Sequence, residues 1–177
     1  MKKHNGMRPM DIVVLLKIIV KGDKPWLNKD LASELNISAS EVSESLNRSK
    51  IAGLIDGSHK NVMRKSFLEF LQFGLKYVFP QKPGAMVRGI PTSHSAPVMA
   101  KHFVFDEKYV WPDAHGEVRG QTIEPLYHTV PKAAKQDQAL YDLLALCDAL
   151  RVGRVREKDF AKKELEKRLL NLAHEPA

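Results

Sequence analysis

In the first third of the chain, apolar positions recur at helical spacing. Ile12, Leu15, Leu16, Ile19 and Val20 lie three or four apart, which predicts a helix from Pro9 to Lys21, ended by Gly22. A shorter run, with Leu31, Ala32 and Leu35 inward, predicts a second helix from about Asn28 to Leu35. Ser38 stands three residues before Glu41. In that pattern the serine hydroxyl and the glutamate carboxylate satisfy each other's amides, so a third helix is predicted to start there, with Val42 and Leu46 inward. Gly53 stops it. Leu54–Ile55 and Val62–Met63 then predict two short returning strands around the loop "DGSHKN", and Phe67, Phe70 and Leu71 predict a fourth helix from Arg64 to Gly74.

Beyond Gly74 the pattern changes. "YVFPQKPGAMVRGIPTSHSAPVM" holds four of the ten prolines but is rich in Tyr, Val, Phe and Ile. It is expected to be an ordered, extended segment packed on the core. "FVFDEKYVWPDAHGEVRGQTIEPLY" predicts one or two short strands around a "DAHG" turn. Two helices finish the chain, over about Lys132–Leu150 and Arg154–Leu172. The last sets Ala161, Leu165, Leu169 and Leu172 along one stripe, with Asp159–Lys163 and Glu164–Arg168 as i,i+4 pairs outside it. The expected fold class is mainly α with a small β part (α+β). Residues 1–65 are read as a winged helix-turn-helix. Residues 66–177 are read as an α+β region with the Pro-rich segment and two terminal helices, joined to the first part without a flexible linker.

Composition adds little to the fold and more to the partner. Of 177 residues, 44% are hydrophobic and 28% charged, as in globular domains. The formal charge is +7, and it lies at the front: residues 61–105 carry six basic side chains against Glu69 alone. Such asymmetry suits an anionic partner, most simply nucleic acid. The only cysteine, Cys147, sits in "LYDLLALCDAL" and is expected to be a buried free thiol in a reducing cytoplasm. "MKKHNGMRPMDIVVLLKIIVKG" superficially resembles a signal peptide, but Asp11 and Lys17 interrupt its apolar run, so a helix is predicted instead. No stretch approaches the roughly 20 apolar residues that span a bilayer, and no membrane contact is expected.

Two short helices joined by a tight turn and followed by a hairpin make a helix-turn-helix with a wing. Small hydroxyls and an asparagine would add little to a core, so the face of the third helix that carries them is expected to meet something outside the chain. With Val42 and Leu46 inward, Ser38, Ala39, Ser40, Ser43, Glu44 and Asn47 line the opposite flank. Small residues let such a helix sink into a major groove about 12 Å wide, and Asn47 is the candidate for a bidentate contact to adenine. Glu44 is the awkward member, suited to a cytosine amine or to pairing with Arg48. Arg48 and Lys50 are read as phosphate contacts at the groove walls, His59 and Lys60 as the wing tip, and Arg64 and Lys65 as further backbone contacts. Five or six such cations predict a log–log salt slope of roughly −5. Ser49 is not assigned a side.

"LASELNISASEVSESLNRSKIAGLI" resembles the reading-head segment of winged-helix bacterial regulators of the MarR type. The shared features are Leu31-Ala32, the Leu35-Asn36-Ile37-Ser38 turn, inward Val42 and Leu46, and Gly53-Leu54-Ile55 leading into the wing. "GLKYVFP", "RGIPTSHSAP", "VWPDAHGEVRG" and "ALRVGRVRE" also look like a group of winged-helix bacterial proteins, some encoded beside a predicted nucleotidyltransferase. The resemblance implies a transcriptional regulator, a repressor, that binds double-stranded DNA as a homodimer through the first or the final helices. It implies, as the alternative, an antitoxin-like subunit that neutralises a partner enzyme, a toxin-like nucleotidyltransferase.

Other constellations carry less. Arg88 and His94 have an Arg-x5-His spacing used on ribonuclease helices, but "RGIPTSH" contains a glycine and a proline that exclude a helix. His94, His102 and Asp106 lack a supporting cysteine or an orienting carboxylate, so no enzyme, metal or cofactor is expected. In "RVGRVRE", Arg151, Arg154 and Arg156 surround the start of the last helix, a candidate anion or partner site. The competing reading pairs them with Asp142, Asp148 and Glu157. Trp26 and Trp111 are expected in the core.

Overall fold

A computed structural model describes residues 5–171. The α-helices are α1 (Pro9–Lys21), α2 (Asn28–Leu35), α3 (Ala39–Ile51), α4 (Arg64–Phe73), α5 (Leu75–Val78), α6 (Pro97–Ala100), α7 (Val130–Gln136), α8 (Gln138–Val152) and α9 (Val155–Asn171). Three strands, β1 (Met86–Pro91), β2 (Tyr109–Pro112) and β3 (Val118–Thr122), make the fold mixed α+β. Leu172, expected on the α9 stripe, lies outside the described residues. None of the described helices is long and apolar enough to cross a membrane.

Helix α1 is the spine. Every residue from Met10 to Ile19 is buried, Asp11 and Lys17 included, and the helix packs on α2, α3 and α8. The expected dimer contact through α1 is therefore unavailable, because this chain already covers it. The two charges are buried with partners. Asp11 accepts the Arg8 amide and the Arg48 guanidinium, and Lys17 bridges Glu34 on α2 and Asp137 at the head of α8. One apolar core runs from Met10 through Leu46 and Leu71 to Leu144, Leu165 and Leu169, with Trp26 and Trp111 in it.

The C-terminal helices differ from expectation in one place. The single helix predicted over 132–150 is broken at Asp137, whose backbone is extended and whose carboxylate accepts the Leu140 amide. An aspartate that can cap favours starting a new helix over continuing the old one. Glu164 and Arg168 pair as expected, whereas among the described residues Asp159 and Lys163 do not.

The segment 86–122 folds into a closed barrel of three short strands. β1 runs antiparallel to both β2 and β3, and β2 and β3 run parallel to each other. The "DAHG" turn is thus no hairpin; it carries the chain over β1. The crossing is made at glycines. Gly89 faces both Pro112 and Val118, and a Cβ on it would lie 1.9 Å from the Trp111 carbonyl oxygen. A Cβ on Gly116 would lie 2.3 Å from the Gly89 carbonyl oxygen. Strands this close leave no room for a side chain. Buried Asp148 of α8 fastens the barrel, accepting from Thr92 Oγ1 at 2.7 Å and Trp111 Nε1 at 2.6 Å.

Candidate nucleic-acid interface

Helix α2 ends at Asn36 in the left-handed conformation (φ 57°), where asparagine is tolerated, and the Ile37 amide returns to the Ala32 carbonyl. The chain then turns into α3. Ser38 Oγ accepts the Glu41 amide at 3.1 Å, while Glu41 Oε2 accepts the Ser38 amide at 2.7 Å. Gly53, at φ +74°, lets the Leu54 amide reach the Ser49 carbonyl and stop the helix.

This local chemistry presents one edge of α3 outward. Ser38, Ala39, Ser40, Ser43, Glu44, Asn47 and Lys50 are all exposed, while Val42 and Leu46 are buried. The serines divide, however. Ser45 and Ser49 are both 0% exposed, and their hydroxyls have no hydrogen-bond partner among the described residues. Small side chains there let α3 lie close against α1 and α2, which gives Ser49, left without a side by the sequence, an inward place.

Arg48 is corrected by the structure. It is 7% exposed and forks onto Asp11, Nε to Oδ2 at 2.9 Å and Nη2 to Oδ1 at 2.7 Å, with Glu44 Oε2 at 3.7 Å from Nη1. These bonds hold the guanidinium above its ordinary pKa. It ties α3 to α1 and has no free edge for a phosphate. Arg64 is less enclosed than Arg48. It is half-buried, donates to the Leu169 carbonyl at 2.9 Å, and has its pKa lowered by burial.

The hairpin is one bridge long, Ile55 opposite Val62. Asp56 organises its loop, its carboxylate accepting from Ser58, from the Lys60 amide and from the amide and side chain of Asn61. Those bonds, led by Asn61, hold the Asp56 carboxyl well below the usual carboxylate range. His59 sits at φ 62° and is half-buried. Lys60 is exposed, but its Nζ donates to the Trp26 carbonyl at 2.8 Å and lies 3.7 Å from the Trp26 ring centroid. Lys50 and Lys65 are exposed and make no ion pair among the described residues. The cationic rim is therefore Lys50, Lys60 and Lys65, thinner than the sequence implies.

A residue that sequence reasoning missed completes the edge. Tyr127 Oη donates to Glu41 Oε1 at 2.6 Å, and exposed His128 packs on the Tyr127 ring at 4.4 Å. That bond, with those from Ser38, holds the Glu41 carboxyl below its ordinary value. It fixes the first turn of α3 to the segment after β3. No local signal in the sequence links positions so far apart.

At the start of α9 the proposed anion site is already filled. Glu157 Oε2 accepts the Arg154 amide at 3.0 Å, and Arg151 is turned inward onto Asp148 and the Phe79 and Glu124 carbonyls. Arg154 and Arg156 are exposed. The competing reading holds for Asp148 with Arg151, whereas Asp142 pairs with Arg168 instead.

A cavity of about 340 Å³ is lined by His94, Phe105, Asp106, Tyr109, Arg154 and Glu157. His94 is enclosed there, its Nε2 2.9 Å from the Glu107 carbonyl and its Nδ1 3.2 Å from Glu157 Oε1. Among the described residues no group of three His, Cys, Asp or Glu could hold a metal. Cys147 is buried, and burial pushes its thiol pKa up, away from reactivity. No protein-family model matches the chain, nor does any curated protein or solved structure.

Proposed function

We propose that the protein is a sequence-specific double-stranded DNA-binding regulator of transcription, a repressor of the cytoplasm, with α2 and α3 as a helix-turn-helix and the 55–62 hairpin as its wing. The observation that carries this reading is the exposed polar edge of α3, Ala39-Ser40-Ser43-Asn47, on a short helix whose other side is held by the core. Small residues at the N-terminal half of such a helix allow close approach to base edges, and Lys50, Lys60 and Lys65 meet phosphates. One short helix reads few bases, so binding as a two-fold homodimer is part of the proposal. Fluorescence anisotropy of labelled duplex from the chain's own upstream DNA, against a scrambled duplex in a salt series, tests it. Equal affinity for both duplexes ends the sequence-specific reading.

The second reading, a subunit that grips a partner enzyme such as a toxin-like nucleotidyltransferase, is favoured by one observation. Phe73, Tyr77 and Val78, close together on α4 and α5, are 64%, 73% and 52% exposed. Large apolar side chains grouped at a surface suit a protein contact. Co-purification with the product of the adjacent gene, lost in Phe73→Ser/Tyr77→Ser, tests that reading.

A further inference from the structure

The tripeptide Val-Arg-Gly occurs twice, at 87–89 in β1 and at 118–120 in β3. The barrel pairs the two copies antiparallel: Val87 with Gly120, Arg88 with Arg119, and Gly89 with Val118. The result is a local two-fold arrangement with two arginines directly opposite each other at its centre. Both glycines are demanded by close backbone, since a Cβ on Gly120 would lie 2.6 Å from the Lys108 carbonyl oxygen and one on Gly89 closer still to that of Trp111. The register is therefore fixed, and the arginines cannot slip apart.

Directly opposed residues on one face hold their Cβ atoms about 5 Å apart, and like charges in that position destabilise a sheet. Nothing within the described part of the chain offsets this. Both arginines are exposed, and neither guanidinium has a hydrogen bond, an ion pair or a ring contact among the described residues. Glu117, two positions before Arg119 and just ahead of β3, pairs with neither. The two guanidinium forks are thus left unneutralised by the described part of the chain. Planar forks of this kind match phosphate oxygens two at a time.

We propose that Arg88 and Arg119 clamp a phosphodiester group of double-stranded DNA, a contact separate from the α3 edge. The inference rests on the DNA-binding reading above. The pair stands exposed on the outside of the barrel rather than enclosed in a cavity, which suits an extended polyanion better than a small ligand. The barrel is tethered to the reading edge: β3 ends at Thr122, and Tyr127, which follows at most roughly 17 Å away along the chain, is bonded to Glu41 in the first turn of α3. One turn of duplex is about 34 Å long, longer than that link, so the proposal has a single duplex meet both α3 and the barrel.

The test compares the full chain with Arg88→Gln/Arg119→Gln, Arg88→Lys/Arg119→Lys and Asn47→Ala by anisotropy on target and scrambled duplex in a salt series, with thermal unfolding of each. The glutamine pair is expected to weaken both duplexes about equally, roughly tenfold, and to flatten the log–log salt slope by about 1–2. The lysine pair keeps the slope, and the glutamine variant unfolds at an equal or higher temperature because the repulsion is gone. Unchanged affinity and slope in the glutamine pair overturn the clamp, while Asn47→Ala separately reports on α3. A lower unfolding temperature shows that the arginines serve the fold, and also overturns it. Wild-type protein that binds no duplex overturns clamp and reading together.

Discussion

Arg48 on α3 and Asp11 on α1 form a forked pair out of solvent, with both guanidinium contacts at 2.9 Å or less and the carboxylate 0% exposed. Asp11 also accepts the Arg8 amide at 2.8 Å, so its oxygens take three donors. The pair joins α3 to the spine. Removing one member strands the other charge without water, which costs about 3–5 kcal/mol, whereas replacing both by apolar groups of similar size costs far less. Asp11→Ala is expected to lose about that amount in urea unfolding, and Asp11→Leu/Arg48→Met markedly less. Additive losses in the double variant would mean that the two groups are not coupled.

The Glu41–Tyr127 bond makes a prediction about pH. Glu41's folded pKa is depressed, chiefly by the Tyr127 hydroxyl and then by Ser38, so its contribution is fully present above the unfolded value, about pH 4.3, and is lost as pH falls through the lower folded value. In a carboxyl-detected NMR titration Glu41 should titrate below free glutamate. In Tyr127→Phe its midpoint should move back up. An unmoved Glu41 midpoint in the variant would remove Tyr127 as the cause.

Much of this was legible in the chain, for identifiable reasons. α2 and α3 are local objects: leucine spacing, the Ser38–Glu41 exchange and Gly53 act within a few residues, and the structure has them where expected. The outward side of Ala39, Ser40, Ser43 and Asn47 followed from the same periodicity. Arg48 did not, because its partner lies 37 positions earlier. The sequence held one hint, since an aspartate inside an apolar run needs a buried counter-charge, and Asp11 found it in Arg48. The barrel was least legible. Its parallel β2–β3 pair across a short turn depends on how closely β1 can be crossed at Gly89 and Gly116, a tertiary fact.

Those crossings give a sharp contrast among glycines. Gly89→Ala sets a methyl 1.9 Å from the Trp111 carbonyl oxygen, in backbone that cannot yield, and is expected to cost about 4 kcal/mol or more or to abolish the folded barrel. Gly57→Ala meets nothing within 4 Å at an ordinary φ, and is expected to be neutral or to stabilise by about 0.4–1 kcal/mol. Thermal unfolding and the near-ultraviolet signal of Trp111 report both. Equal midpoints for the two variants would contradict the crossing.

The role of α3 turns on a difference between two side chains. Asn47 is exposed mid-helix on the edge that carries Ser40 and Ser43, where a carboxamide can give and accept one bond each with an adenine edge. Lys65, exposed at the start of α4 without an ion pair among the described residues, can offer only charge. Asn47→Ala should therefore cost about 1–3 kcal/mol on target duplex and little on scrambled, with the salt slope intact. Lys65→Ala should weaken both duplexes alike and flatten the slope by about 1. Arg48→Lys, by contrast, should leave the slope unchanged and lower stability, since a lysine keeps the charge but not the fork onto Asp11. If Asn47→Ala lost equally on both duplexes, the α3 edge would be gripping backbone rather than reading bases, and sequence selectivity would have to come from elsewhere on the molecule.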